Sequence, residues 1–170
     1  MTPAPIPYFD NRIVNVDQRA EVGDLHTLSG AGAFILNAYM GMTSADRLAD
    51  TRHVYAYYRD IHYHVGGETS LDPFMGVPSS PAAIWNFVQP REIYLMSGFD
   101  ADPHHYVVAA CDCDWEREHG LTLVWRDGTT LCKVGPSDGH TTNVDAFDDP
   151  SMQNVVYPAI DARFRTMVEE

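Results

Sequence analysis

The chain has 170 residues, 45% of them hydrophobic, and carries 24 acidic against 11 basic residues for a formal net charge of −13. That length and apolar fraction suffice for one core without disulfides or metal, so residues 1–170 are read as a single domain. The charge argues against nucleic acid and anionic membrane surfaces as partners, and no apolar run reaches the roughly 18 residues of a membrane-spanning helix.

The first nine residues hold Pro3, Pro5 and Pro7 and lack the basic-then-apolar order of a secretory signal. The expected location is therefore the cytoplasm, where Cys111, Cys113 and Cys132 are thiols rather than a disulfide framework. Arg12 to Val16 follows as a candidate first strand. Ser29 is a candidate N-cap for a helix presenting Ala31, Phe34, Ile35, Ala38 and Tyr39 on one face, with Gly41 at its end. Thr43 and Asp46 have capping-box spacing, and Leu48, Thr51, Tyr55, Tyr58, Ile61 and Val65 continue as a second amphipathic helix that Gly66 and Gly67 stop. Ser80 and Pro81 open a short third helix carrying Ile84, Trp85 and Val88, which Pro90 ends.

Beyond Pro90 the pattern changes to short β-rich runs: Arg91 to Ser97, His105 to Cys113, Leu121 to Arg126 and Thr130 to Val134. Asp127-Gly128 between the last two is a hairpin turn pair, because Gly accepts positive φ. A short amphipathic helix is expected from Ala159 to Val168. The fold class is α+β, with helices in the N-terminal half, an antiparallel β-meander in the C-terminal half and a short C-terminal helix.

The chemistry is densest at Cys111-Asp112-Cys113-Asp114-Trp115-Glu116-Arg117-Glu118-His119-Gly120. In a strand, Cys111 and Cys113 share one face and Asp112 and Asp114 the other. Two readings follow for the thiols. They are small core residues, or they begin a zinc site completed by His119 and by His140 or Cys132, although C-x-C lacks the C-x₂₋₄-C knuckle of structural zinc. A cysteine nucleophile served by His119, and acid-base work by Glu116, Glu118 and His119, are weighed against a loop that only needs polar side chains. His62 with His64 and His104 with His105 diverge on their elements and make no ligand pair. Residues 137–149 are rich in oxygen ligands without the EF-hand pattern. Gly30 and Gly32 do not extend to a phosphate-binding loop, and no nucleophile elbow or zinc-protease motif is present.

Cys113 through Leu121, with Asp127-Gly128 and Asp138-Gly139-His140 after it, resembles a group of small bacterial domains of unknown function marked by a W-x-x-E-H-G-L step between two strands. The likeness runs from Ile84 to Asp145. It implies an α+β fold, a bacterial origin and, for some members, a role as immunity proteins beside secreted toxins; it carries over no catalytic residue.

From Phe99 to Asp149 there are eleven carboxylates against Arg117, Arg126 and Lys133, a net of −8. The expected function is a non-catalytic acidic binding protein, in its most concrete form a cytoplasmic immunity protein or antitoxin covering the basic active site of a toxin, without cofactor. Asp112, Asp114, Glu116, Glu118 and Asp138 are the expected partner-binding residues. The alternative is a zinc-binding domain or metal-dependent hydrolase with Cys111, Cys113, His119 and His140 as ligands and Glu118 as base.

Overall fold

A computed structural model of the protein describes residues 1–20, 30–67, 70–99 and 102–168. Ser29, the expected N-cap, lies outside them. Six strands form one sheet in the order β1 (Thr2–Ile6), β2 (Arg12–Ala20), β3 (Val88–Ser97), β4 (His105–Cys113), β5 (Leu121–Arg126), β6 (Thr130–Gly135). Every neighbour is antiparallel except β2 and β3, which run parallel, so the sheet is mixed and the chain is α+β.

The meander from β3 to β6 follows the sequence closely. Asp127 and Gly128 both have positive φ, 52° and 88°, the signature of the type I′ turn whose twist matches the flanking strands. Gly128 is required twice over, since a Cβ there would sit 2.4 Å from the Ile35 carbonyl oxygen. Pro90 does not end a helix ahead of the strand. It lies inside β3, where the register with β4 shifts between Pro90 and Glu92, and a bulge is where a strand tolerates a residue without an N–H. The expected third helix is a single 3₁₀ run, Pro81–Phe87, that buries Ile84 and Trp85 and passes directly into β3.

Helix α1 (Gly30–Met40) and helix α2 (Ser44–His64) precede the meander, though β1 and β2 come before both. Thr43 caps α2 as its spacing implies, accepting from the Ala45 N–H while Asp46 accepts from the Thr43 N–H at 2.7 Å. The buried faces are rotated from the expected ones. In α1, Gly32, Ile35, Leu36 and Tyr39 face the core and Phe34 is exposed; in α2, Val54 and Tyr57 take the place of Leu48 and Val65, both exposed. The rotation puts His53 and Asp60, both buried, against the C-terminal segment, so α2 is covered on more than its apolar stripe. None of the described helices is long and apolar enough to cross a membrane.

One core fills the space between these helices and one face of the sheet. Val107, Ala109, Cys111 and Cys113 of β4 point into it with Trp125, whose ring centroid lies 5.0 Å from that of Tyr8 in edge-on contact and 4.9 Å from that of Tyr39 in a tilted one. The alternate residues Tyr106 and Val108 join Val124 and Cys132 in a second cluster on the opposite face.

The expected C-terminal helix does not form. After α3 (Asp72–Met75), a single turn, and α4 (Asn143–Phe147), the chain makes a two-stranded antiparallel hairpin, β7 (Val155–Tyr157) with β8 (Thr166–Met167), bridged by a 3₁₀ turn at Ala162–Phe164. Ala159 has φ 48°, which breaks a helix at its first turn, and the Asp60 carboxylate takes the N–H groups of Ile160 and Asp161 at 2.6 and 3.1 Å. Ile160 and Met167, two of the residues whose spacing suggested a helix, are exposed.

Candidate functional site

The segment from Cys111 to Leu121 folds from its residues upward. Trp115 is buried against Tyr57 and Tyr58 of α2, with ring centroids 5.9 and 6.0 Å away in edge-on contact. Glu116 turns back on its own loop: Oε1 accepts the N–H groups of Glu118 and His119 at 3.0 and 3.2 Å, and its carbonyl accepts from Gly120 N–H. Gly120, at φ +67°, has no room for a Cβ, which would lie 2.6 Å from the Cys111 carbonyl oxygen. The Tyr57 hydroxyl donates to the Gly120 carbonyl at 3.2 Å. Trp115, Glu116 and Gly120 are thus the anchor, the cap and the turn of this segment, and Arg117, the Glu118 of the W-x-x-E-H-G-L step and His119 are exposed.

Gly120→Ala is therefore expected to destabilise the fold by about 2 kcal/mol or more, the cost of left-handed backbone plus the displacement of the Cys111 carbonyl. Urea unfolding of the two proteins measures it; equal midpoints would show that the turn relaxes freely.

Strand alternation holds at the thiols. Cys111 and Cys113 are buried and Asp112 and Asp114 exposed. Burial pushes all three thiols up, Cys113 and Cys132 each to about 12, and Cys111 likewise by burial. Cys113 Sγ donates to the Glu116 carbonyl. At neutral pH these are protonated core groups without the thiolate that a nucleophile needs. The proposed zinc ligands are not brought together: His119 is exposed with Nδ1 3.5 Å from Glu116, His140 has Nδ1 3.6 Å from Asp138, and Cys132 lies in the second cluster across the sheet. Among the described residues no three His, Cys, Asp or Glu side chains converge on a metal position.

The five expected partner-binding acids divide by their surroundings. Asp114 and Glu118 are exposed, and Asp112 is exposed with a long contact to Arg91, 3.2 Å. Glu116 is committed to its turn. Asp138 holds the buried ammonium of Lys133 at 2.6 and 2.7 Å, and an exposed carboxylate over a buried cation is a structural partner first.

What the sequence did not reveal is a cleft of about 550 Å³ between this turn and the C-terminal hairpin. Tyr57 and Ile61 of α2 line its floor, Glu116 and His119 one wall, and Phe147, Tyr157, Ala159 and Ile160 the other. Phe147 and Ile160 are exposed apolar side chains at its mouth, and Asp148 and Asp149 follow Phe147 on the surface. The hydrogen bonds of Asp149 to Ser151 hold that carboxyl below the ordinary range, so it is charged. The hairpin wall is pinned by Asp60, which accepts from the Tyr157 hydroxyl at 2.6 Å, and by His53, whose Nδ1 lies 2.7 Å from Thr166 Oγ1. No local pattern marks this cleft, because its floor and its hairpin wall come from segments about a hundred residues apart.

The architecture and the site describe a small α+β domain with an apolar cleft whose lining carries Glu116, His119 and Arg165. The model of the family described as domain of unknown function DUF6985 matches residues 2–141, and the chain belongs to that family. Neither the curated proteins nor the solved structures provide a match. The matched residues include the whole six-stranded sheet and the W-x-x-E-H-G-L turn, whereas α4 and the hairpin that closes the cleft lie beyond them.

Proposed function

We propose that this protein is a non-catalytic, acidic binding protein, most concretely a cytoplasmic bacterial immunity protein that neutralises a basic toxin by covering its active site. The observation that carries the reading is the cleft. An apolar cleft with the exposed side chains of Phe147 and Ile160 in its lining, along with Glu116 and Arg165, has the exposed carboxylates of Asp114, Glu118, Asp148 and Asp149 next in sequence to two of its wall segments. That is the anatomy of a protein interface, in which an apolar anchor site supplies affinity and a charged rim supplies orientation and encounter rate. The net charge of −13 favours a basic partner at long range. The buried, protonated thiols and the structural engagement of Glu116 in its own turn also support binding over chemistry.

Reversing Asp112, Asp114 and Glu118 together to Lys spares the two acids with structural duties, Glu116 and Asp138. Calorimetric titration with the toxin encoded beside the gene is expected to show at least tenfold weaker binding for the triple variant and a steep loss of wild-type affinity with salt. Unchanged affinity would remove the acidic rim from the interface. Phe147→Ser, assayed in the same way, reports on the apolar anchor independently of charge.

A further inference from the structure

On the opposite face of the sheet from α1 and α2 lies a second cavity of about 290 Å³, lined by Asp102, Tyr106, Arg126, Cys132, Asn143 and Asp145 among others. It is built from polar groups whose bonding is only partly complete. Asn143 is 2% exposed. Its Nδ2 donates to the carbonyls of Val155 and Val156 at 2.7 and 3.1 Å, which fixes the amide's orientation, and its Oδ1 is buried with no hydrogen-bond partner. A buried amide oxygen left without a donor costs about 1–3 kcal/mol, which a bound water or a ligand donor in the cavity relieves. Arg126 is half-buried on the same wall and its guanidinium makes no ion pair or hydrogen bond among the described residues, and Asp145 uses one carboxylate oxygen on the Thr142 hydroxyl. The Asp102 carboxylate is fixed by the Tyr106 hydroxyl at 2.6 Å and the His104 N–H at 3.0 Å. Cys132 contributes bulk, its thiol donating to the Val124 and Thr141 carbonyls.

We infer that this cavity binds a small cationic amino acid. The guanidinium of Arg126 pairs with the ligand's carboxylate, and Asn143 Oδ1 and Asp145 accept from its amino groups. Two carboxylates against one cation leave the lining one negative charge in excess, which matches a ligand of net charge +1 rather than a neutral or acidic one. The volume stands at the small end of ligand cavities, which start near 300 Å³, so the ligand is a free metabolite and not a chain segment. The inference uses none of the residues of the apolar cleft and is independent of the function proposed above.

The test titrates the full chain with L-arginine, L-lysine, L-glutamate and agmatine, the last being arginine without its carboxylate, using calorimetry and nitrogen-proton correlation spectra. At least one cationic amino acid is expected to bind, with agmatine and glutamate each at least tenfold weaker, and the Asn143 side-chain amide and the backbone amides of residues 142–145 are expected to shift. Arg126→Gln, which keeps a polar side chain at this half-buried position, should bring arginine down to the level of agmatine, with a cooperative thermal transition showing that the variant is folded. No binding of either cationic amino acid at millimolar concentration, binding of glutamate or agmatine as tight as that of arginine, full affinity in Arg126→Gln, or shifts confined to other residues would each overturn the inference.

Discussion

Replacing Asp60 by Ala is expected to cost about 3–5 kcal/mol and to release residues 155–168 before the rest of the protein unfolds. Asp60 is fully buried in α2, and its two oxygens accept from the Tyr157 hydroxyl, the Ile160 N–H and the Asp161 N–H. Charge-assisted bonds of this kind contribute roughly 1.5–3 kcal/mol each, and removal of the acceptor leaves the buried Tyr157 hydroxyl unpaired. Asp60→Asn keeps one oxygen and should lose roughly half as much. Hydrogen exchange resolved by residue distinguishes local release from a global loss: fast exchange at β7 and β8 with the meander still protected is the expected pattern. If exchange accelerated uniformly, the hairpin would be part of one cooperative unit with the sheet. Since the hairpin forms a wall of the apolar cleft, partner binding should fall along with it.

Asp50 and His53 make the second large effect, in opposite directions on one helix. Burial raises the Asp50 carboxyl to about 6, even though the Tyr8 hydroxyl and Trp125 Nε1 donate to it at 2.9 and 3.2 Å. A folded carboxyl that holds its proton more tightly than an unfolded one stabilises most below about pH 4, and that contribution is lost as pH rises through about 6. Burial lowers His53 to about 4, with the neighbouring Arg52 adding to the effect. Its contribution is complete above the unfolded value near 6.5 and is lost as pH falls toward about 4. Each displacement, near two pH units at about 1.4 kcal/mol per unit, amounts to roughly 3 kcal/mol. Over the interval from about 4 to 6.5 the two nearly cancel.

Single variants should uncover what the pair conceals. Asp50→Asn offers the same acceptor oxygen to both donors and removes the ionisation. It is expected to gain on the order of 2 kcal/mol at pH 7 and to become visibly acid-labile below pH 6, where His53 now acts alone. His53→Gln should show the reverse slope, with stability rising as the solution is acidified toward pH 4. Urea midpoints from pH 4 to 8 for the three proteins measure both. A wild-type slope as steep as either variant's would mean that the two groups do not offset one another.

How far the sequence carried the fold depends on whether a signal is local. β4 and β5 form over the expected residues, His105–Cys113 and Leu121–Arg126, and the Asp127-Gly128 pair forms its turn because its φ demand is met within two residues. The Thr43 cap is equally local. Residues Ala159 to Val168 have helical spacing, but Asp60 and His53, about a hundred positions earlier, outbid the helix with side-chain bonds to that segment's backbone and to Thr166. Strand β1 was hidden by its prolines. At the site, alternation separated Asp112 and Asp114 from the two thiols correctly. Composition alone gave no means to see that Glu116 caps its own loop and Asp138 pairs with Lys133, because both depend on where the chain folds back.

The prolines of β1 bear on how any partner must approach. Pro3 and Pro5, two residues apart, turn their ring nitrogens to the same side, and since β1 is hydrogen-bonded to β2 that side is the outer border of the sheet. At the far border, β7 packs beside β6. With β1 stripped of donors along its outer border and β6 packed beside β7, strand addition to the six-stranded sheet is disfavoured at these two borders. The same arrangement guards the sheet against edge-to-edge polymerisation.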